Sequence, residues 1–139
     1  MPTRILIIDN NDRFVRQVQD WLADAYEVRT AENPILGADI LLSEPIDVLI
    51  VNDEMPEMSG YDFLRLVDAV DAYIRLPVIV IATTTFRPPF TFARHRAFLR
   101  QPVSRETLLD TIHKLLLTKE LTDSAEPSEK RGNGSENPK

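Results

Sequence analysis

The chain has 139 residues, 43% of them hydrophobic, a formal net charge of −6 and no cysteine. That length supports one domain with a sizeable core, the missing cysteine excludes disulfides and thiolate metal sites, and the acidity argues against general nucleic-acid binding. No apolar run approaches the roughly 20 residues that span a bilayer, so the sequence predicts a soluble, cytoplasmic protein without a membrane segment.

Arg4-Ile5-Leu6-Ile7-Ile8 is apolar on both faces and predicts a buried strand. It ends in Asp9-Asn10-Asn11-Asp12, where Asn10 or Asn11 suits the N-cap of a helix. Phe14, Val18, Trp21 and Leu22 then share one helical face. Residues 26–30 alternate as a short strand. Pro34 fits a first helical position, followed by Ile35, Ala38 and Leu42 at helical spacing. Residues 46–52 form the next strand, whose apolar run Val48-Leu49-Ile50-Val51 stops at Asn52 and Asp53. Pro56 and Gly60 punctuate the loop that follows.

Phe63, Val67 and Val70 mark another amphipathic helix. Val78-Ile79-Val80-Ile81 predicts a further buried strand, ending at Ala82-Thr83. Pro88 and Pro89 prevent a long helix across the next stretch. Residues 97–100 read as a short strand, Gln101-Pro102 as a turn, and Ser104 as the N-cap of a last helix with Leu108, Ile112, Leu115 and Leu116 on its apolar face. From Thr122 onward Ala125 is the sole hydrophobic residue. Residues 122–139 are therefore expected to form a disordered tail after a domain spanning 1–121. The fivefold alternation of strand and helix signals predicts a parallel sheet with helices on both faces.

Charge is unevenly placed. Residues 1–82 carry 15 acids and 6 bases, whereas residues 83–105 carry five arginines and no acid. Arginines interleaved with Phe86, Phe90, Phe92 and Phe98 have the composition of a docking surface. Arg87, Arg94 and Arg96 are the candidates for meeting an acidic protein partner or a second copy of the chain. His95 and His113 are isolated and are read as surface or helix histidines.

The segment Asn52-Asp53-Glu54-Met55-Pro56-Glu57-Met58-Ser59-Gly60 resembles the third-strand motif of response-regulator receiver domains. Asp9 after the first strand, Leu76-Pro77 and Gln101-Pro102 fall in the same order as in that CheY-like family. The resemblance covers residues 3–118. It implies a flavodoxin-like (βα)5 three-layer sandwich with a five-stranded parallel sheet. The short interval from Ala82 to Gln101 implies a fourth helix that is short or irregular. It also implies a role in two-component or phosphorelay signalling, with no enzymatic activity.

The same resemblance exposes departures at the reactive positions. The phosphoacceptor position is Asn52, whose carboxamide oxygen is a poor nucleophile towards phosphorus. The acid pair that holds magnesium in the family is Asp9-Asn10 here. With Asn at two carboxylate positions, magnesium binding should be weak or absent, because the ion favours hard anionic oxygens. The switch hydroxyl is replaced by Ala82 and the conserved-type lysine by Gln101. Asp53 is adjacent to the acceptor position, but successive residues of a strand face opposite ways. Thr83 and Arg100 are each one residue from the missing hydroxyl and cation.

An amide at 52 can bond neutral partners, and Asn10 and Gln101 are suited to that. These substitutions predict an atypical receiver, or pseudo-receiver, that acts by phosphorylation-independent protein–protein interaction. The alternatives are a working receiver phosphorylated on Asp53 or Asp9, and a flavodoxin-like domain that binds a small ligand in the vacated pocket.

Overall fold

Five short segments pair into one parallel sheet: the three central strands are runs of Val, Ile and Leu buried on both faces, and the two edge strands are more polar and partly exposed. The five are β1 (Arg4–Ile8), β2 (Glu27–Ala31), β3 (Val48–Asn52), β4 (Val78–Ala82) and β5 (Arg96–Arg100), in spatial order β2-β1-β3-β4-β5. The computed structural model describes residues 2–83 and 95–130, with side chains as far as Asp123. Four α-helices are present among the described residues: α1 (Asp12–Leu22), α2 (Pro34–Ser43), α3 (Gly60–Asp68) and α4 (Arg105–Lys130). A 3₁₀ turn, Asp71–Tyr73, follows α3. The expected short fourth helix of the (βα)5 scheme, and Arg87 and Arg94, fall outside the described residues.

Strand alternation sorts the sheet's side chains into two cores. Leu6, Ile8, Leu49, Val51, Val78 and Val80 face α2 and α3. Ile5, Ile7, Val48, Ile50, Ile79 and Ile81 face α1 and α4. Helix starts follow local capping chemistry: Asn11, Asn33 and Ser59 accept from Phe14, Leu36 and Asp62 N–H groups at 3.1, 2.9 and 3.0 Å. Ser104 caps α4 through the N–H of Thr107 at 3.1 Å. The Ser59 cap, coming directly after the motif loop, was not anticipated from the sequence.

Three expectations need correction. Strand β2 is shifted one residue, to Glu27–Ala31, and β3 begins at Val48 and not at 46. Helix α4 runs to Lys130, past the expected start of the tail at Thr122. As far as Asp123 polar side chains support it: the Thr122 hydroxyl donates to the Thr118 carbonyl at 2.8 Å, and Asp123 pairs with Lys119 at 2.9 Å and with Arg75.

The third correction concerns Arg96, proposed from sequence as a docking residue. It opens β5 and is only 7% exposed. Its guanidinium bonds Asp68 at 2.5 Å, the Tyr73 carbonyl at 3.3 Å and the Leu76 carbonyl. Arg96 ties the edge strand to the α3–β4 connection and presents no charge to a partner. His95, expected at a surface or on a helix, is buried at the entry to β5, while His113 lies exposed on α4.

Candidate functional site

The sheet order reverses direction between β1 and β3, and the crevice beyond their carboxyl ends is where open α/β sheets place sites. Register brings the relevant residues there. Ile8 lies beside Val51 and Asn52 beside Ile81, so Asp9, Asn52, Asp53 and Ala82 cluster at one end of the sheet. Gln101 joins them through its N–H, which donates to the Ala82 carbonyl at 2.9 Å.

Asn52 and Asp9 form the centre. The Asn52 Nδ2 donates to Asp9 Oδ2 at 2.9 Å, and both residues are buried. The Asn52 Oδ1 accepts from the Glu54 N–H at 2.7 Å, and Asp9 Oδ1 accepts from the Asn11 N–H at 2.8 Å. Every polar atom of the Asn52 carboxamide is thus engaged, and so are both oxygens of Asp9. Burial pushes the Asp9 carboxyl upward; the Asn52 and Asn11 hydrogen bonds oppose this, and nearby Asp53 adds to it. Among the described residues Asn52 makes no side-chain hydrogen bond to the amides Asn10 or Gln101. Its partner is an acid, because β1 and β3 are neighbours and Asn10 is exposed. Among the described residues, the Gln101 side chain makes no hydrogen bond to the pocket.

Asp53 belongs to the β4 side. It is 4% exposed, and its Oδ1 accepts from both the N–H and the hydroxyl of Thr83 at 3.1 Å. That hydroxyl also lies 3.1 Å from Glu54 Oε1. From the sequence, Thr83 registered only as a neighbour of the missing hydroxyl; its role as the Asp53 partner depends on the β3–β4 register. Beside it, Tyr61 stacks on Phe98 with ring centroids 6.3 Å apart. Burial and then Asp53 push the Tyr61 phenol up to about 12, against the pull of Arg100, so it stays protonated.

Gly60 closes the loop. A Cβ there would sit 2.2 Å from the Asn52 carbonyl oxygen, so the chain can approach Asn52 only with glycine at this position. The mouth of the site opens as a cleft of about 410 Å³ lined by Asp9, Asn10, Asp12, Thr30 and Glu32 among others.

Magnesium demands several hard anionic oxygens in octahedral array. The one carboxylate at the centre is spoken for by Asn52 and Asn11, and Asp53 is turned to Thr83. No group of three or more acidic or histidine side chains suited to a metal occurs among the described residues. The donor set present does not fit the ion.

A doubly wound α/β domain with strand order β2-β1-β3-β4-β5, polar residues at its switch point and a Met-Pro loop after the third strand is the architecture of a signalling receiver. The model of the response regulator receiver domain matches residues 5–113, and the chain belongs to that family, the domain of two-component signal transduction. It is similar to protein PilH of Pseudomonas aeruginosa, 28% identical over 117 residues, which covers 81% of this chain and 97% of PilH. It is also similar to a probable cyclic di-GMP phosphodiesterase of Vibrio cholerae, 30% identical over 77 residues, of which it covers only 18%. Among solved structures, a response regulator receiver domain protein from Clostridium thermocellum superposes with a TM-score of 0.73 at 25% identity, covering 86% of this chain and 98% of that one. No helix among the described residues is long and apolar enough to cross a membrane.

Proposed function

We propose that this receiver is phosphorylation-independent and acts by constitutive protein–protein interaction in a cytoplasmic signalling pathway. The observation that carries the reading is the Asn52–Asp9 hydrogen bond of 2.9 Å at the phosphoacceptor position. In place of a nucleophilic carboxylate beside a metal, the pocket holds an amide that satisfies the neighbouring acid. Ala82 supplies no hydroxyl and Gln101 no cation for a phosphoryl group. Asp53, the adjacent acid, has one oxygen committed to Thr83.

Incubation with acetyl phosphate and magnesium, followed by intact mass measurement, tests the proposal. The expected result is an unchanged mass. A stable adduct on Asp53 or Asp9 would overturn it. Arg87 and Arg94 remain the candidates for a cationic docking face, now without Arg96. Reversing both to Glu and measuring partner affinity and oligomeric state decides whether they take part.

A further inference from the structure

Helices α2 and α3 carry more apolar surface than the core uses. Ile35 and Leu42 on α2 are 70% and 73% exposed, and Leu66 on α3 is 56% exposed. Between the helices runs a cleft of about 200 Å³ lined by the apolar side chains of Ala38, Leu41, Leu42, Phe63, Leu66 and Val70, among others, with Tyr73 at its floor. Its floor is fixed, because the Tyr73 hydroxyl donates to the Leu41 carbonyl at 3.2 Å and ties the 3₁₀ turn to the end of α2. The groove shares no lining residue with the cleft at the Asn52 pocket.

Charge identifies the occupant. Residues 32–74 contain 10 acids and a single base, Arg65. Asp53 is buried, Asp68 pairs with Arg96, and Glu44 pairs with Arg4 and Arg29. Asp39, Asp62 and Asp71 stay exposed on the elements that frame the groove.

We propose that the α2–α3 groove is a docking site for a cationic amphipathic helix of a partner protein, its apolar side chains seated between Leu42, Leu66 and Val70 and its lysines or arginines facing Asp39, Asp62 and Asp71. Laying an amphipathic helix in a groove uses apolar anchors one turn apart, and acids on the rim steer a cationic partner and repel an acidic one. The same acids disfavour an anionic lipid surface. A second copy offers the exposed Leu117 and Leu121 of α4, but residues 105–123 of that helix hold four acids against three bases and lack the complementary charge. This inference deepens the interaction role proposed above by naming its surface. A phosphoryl adduct would sink that role without touching the groove, and failure of the groove would leave the silent pocket standing.

The test is a methyl NMR titration with a synthetic amphipathic peptide carrying leucines at i, i+3, i+4 and i+7 and lysines elsewhere, beside a version with glutamates for the lysines. The lysine peptide should shift the methyls of Leu42, Leu66, Val67 and Val70 and bind roughly tenfold or more tighter than the glutamate peptide. Leu42→Lys with Leu66→Lys, both at exposed positions, should weaken it by a similar factor. If that variant does not fold, Asp39→Lys with Asp71→Lys should give the same loss with the apolar lining intact. Equal binding of the two peptides, shifts outside the groove, or a concentration-dependent dimer that these substitutions dissolve would each overturn the proposal, the last in favour of a second copy.

Discussion

Asn52 is bonded at both ends of its amide, so a single-atom change there reaches further than its size. In Asn52→Asp the 2.9 Å contact with Asp9 becomes one between two buried carboxylates. At neutral pH we expect a loss of about 2–4 kcal/mol by urea unfolding, the cost of an unpaired buried charge. The loss should shrink as pH falls and one carboxyl takes up a proton. Added magnesium should restore part of it, and acetyl phosphate should still leave the mass unchanged, since Ala82 and Gln101 are untouched. An equal loss at all pH values would mean that repulsion is not the cause.

Asp9 gives a second test with its sign fixed by its raised pKa. The folded state holds the proton to higher pH than the unfolded chain does. Asp9 therefore contributes its stability at low pH, and that contribution declines as pH rises from the unfolded value of 3.8 through the higher folded one. Comparing thermal midpoints of the wild type and Asp9→Asn across acidic to neutral pH should show the wild type losing ground to the variant as pH rises. A gap independent of pH would mean that Asp9 does not titrate differently on folding.

At the scale of elements, Arg96 and Asp68 join β5 to the end of α3 across 28 residues of sequence. Asp68→Ala would leave the buried guanidinium with carbonyls alone, and a loss of about 3 kcal/mol in urea unfolding is expected. A loss near zero would show that solvent reaches the arginine. Sequence patterning made the elements legible because β1, β3 and β4 are apolar on both faces and the helices keep their stripes, which also located Asn52, Asp9 and Asp53 at strand ends. It could not reveal Arg96 as a buried clamp, since an arginine between aromatics reads as surface until the register sets it against Asp68. Nor could it pair Asn52 with Asp9: spacing along the chain shows neither which strand lies beside β3 nor that Asn10 turns outward. The end of α4 was illegible for a related reason. Asp123, inside the stretch expected to be tail, meets Arg75, 48 residues away, a contact that no pattern along the chain announces.

At the scale of the molecule, that long contact decides how much of the C-terminal region belongs to the domain. Arg75 and Asp123 are 32% and 43% exposed in their side chains, which makes the pair a partly solvated one. Cutting the chain after Asp123 should leave the thermal midpoint unchanged. Cutting it after Leu121 should lower it by a few degrees at most and less at high salt, as expected for a screened surface pair. A large drop with the first cut would place essential packing beyond Asp123.

The hydrogen bond from the Asp53 N–H to the Ile81 carbonyl, 2.9 Å long, bears on how the protein ages. Deamidation of an asparagine proceeds when the following backbone nitrogen attacks its side-chain carbon. At Asn52 that nitrogen is locked in the sheet, while the carboxamide is held away by Asp9 and Glu54. The fold therefore disfavours the succinimide route by which position 52 would become an aspartate without mutation. Storage at mildly alkaline pH, followed by peptide mapping, should find deamidation at Asn133, which precedes Gly134, long before it is detected at Asn52.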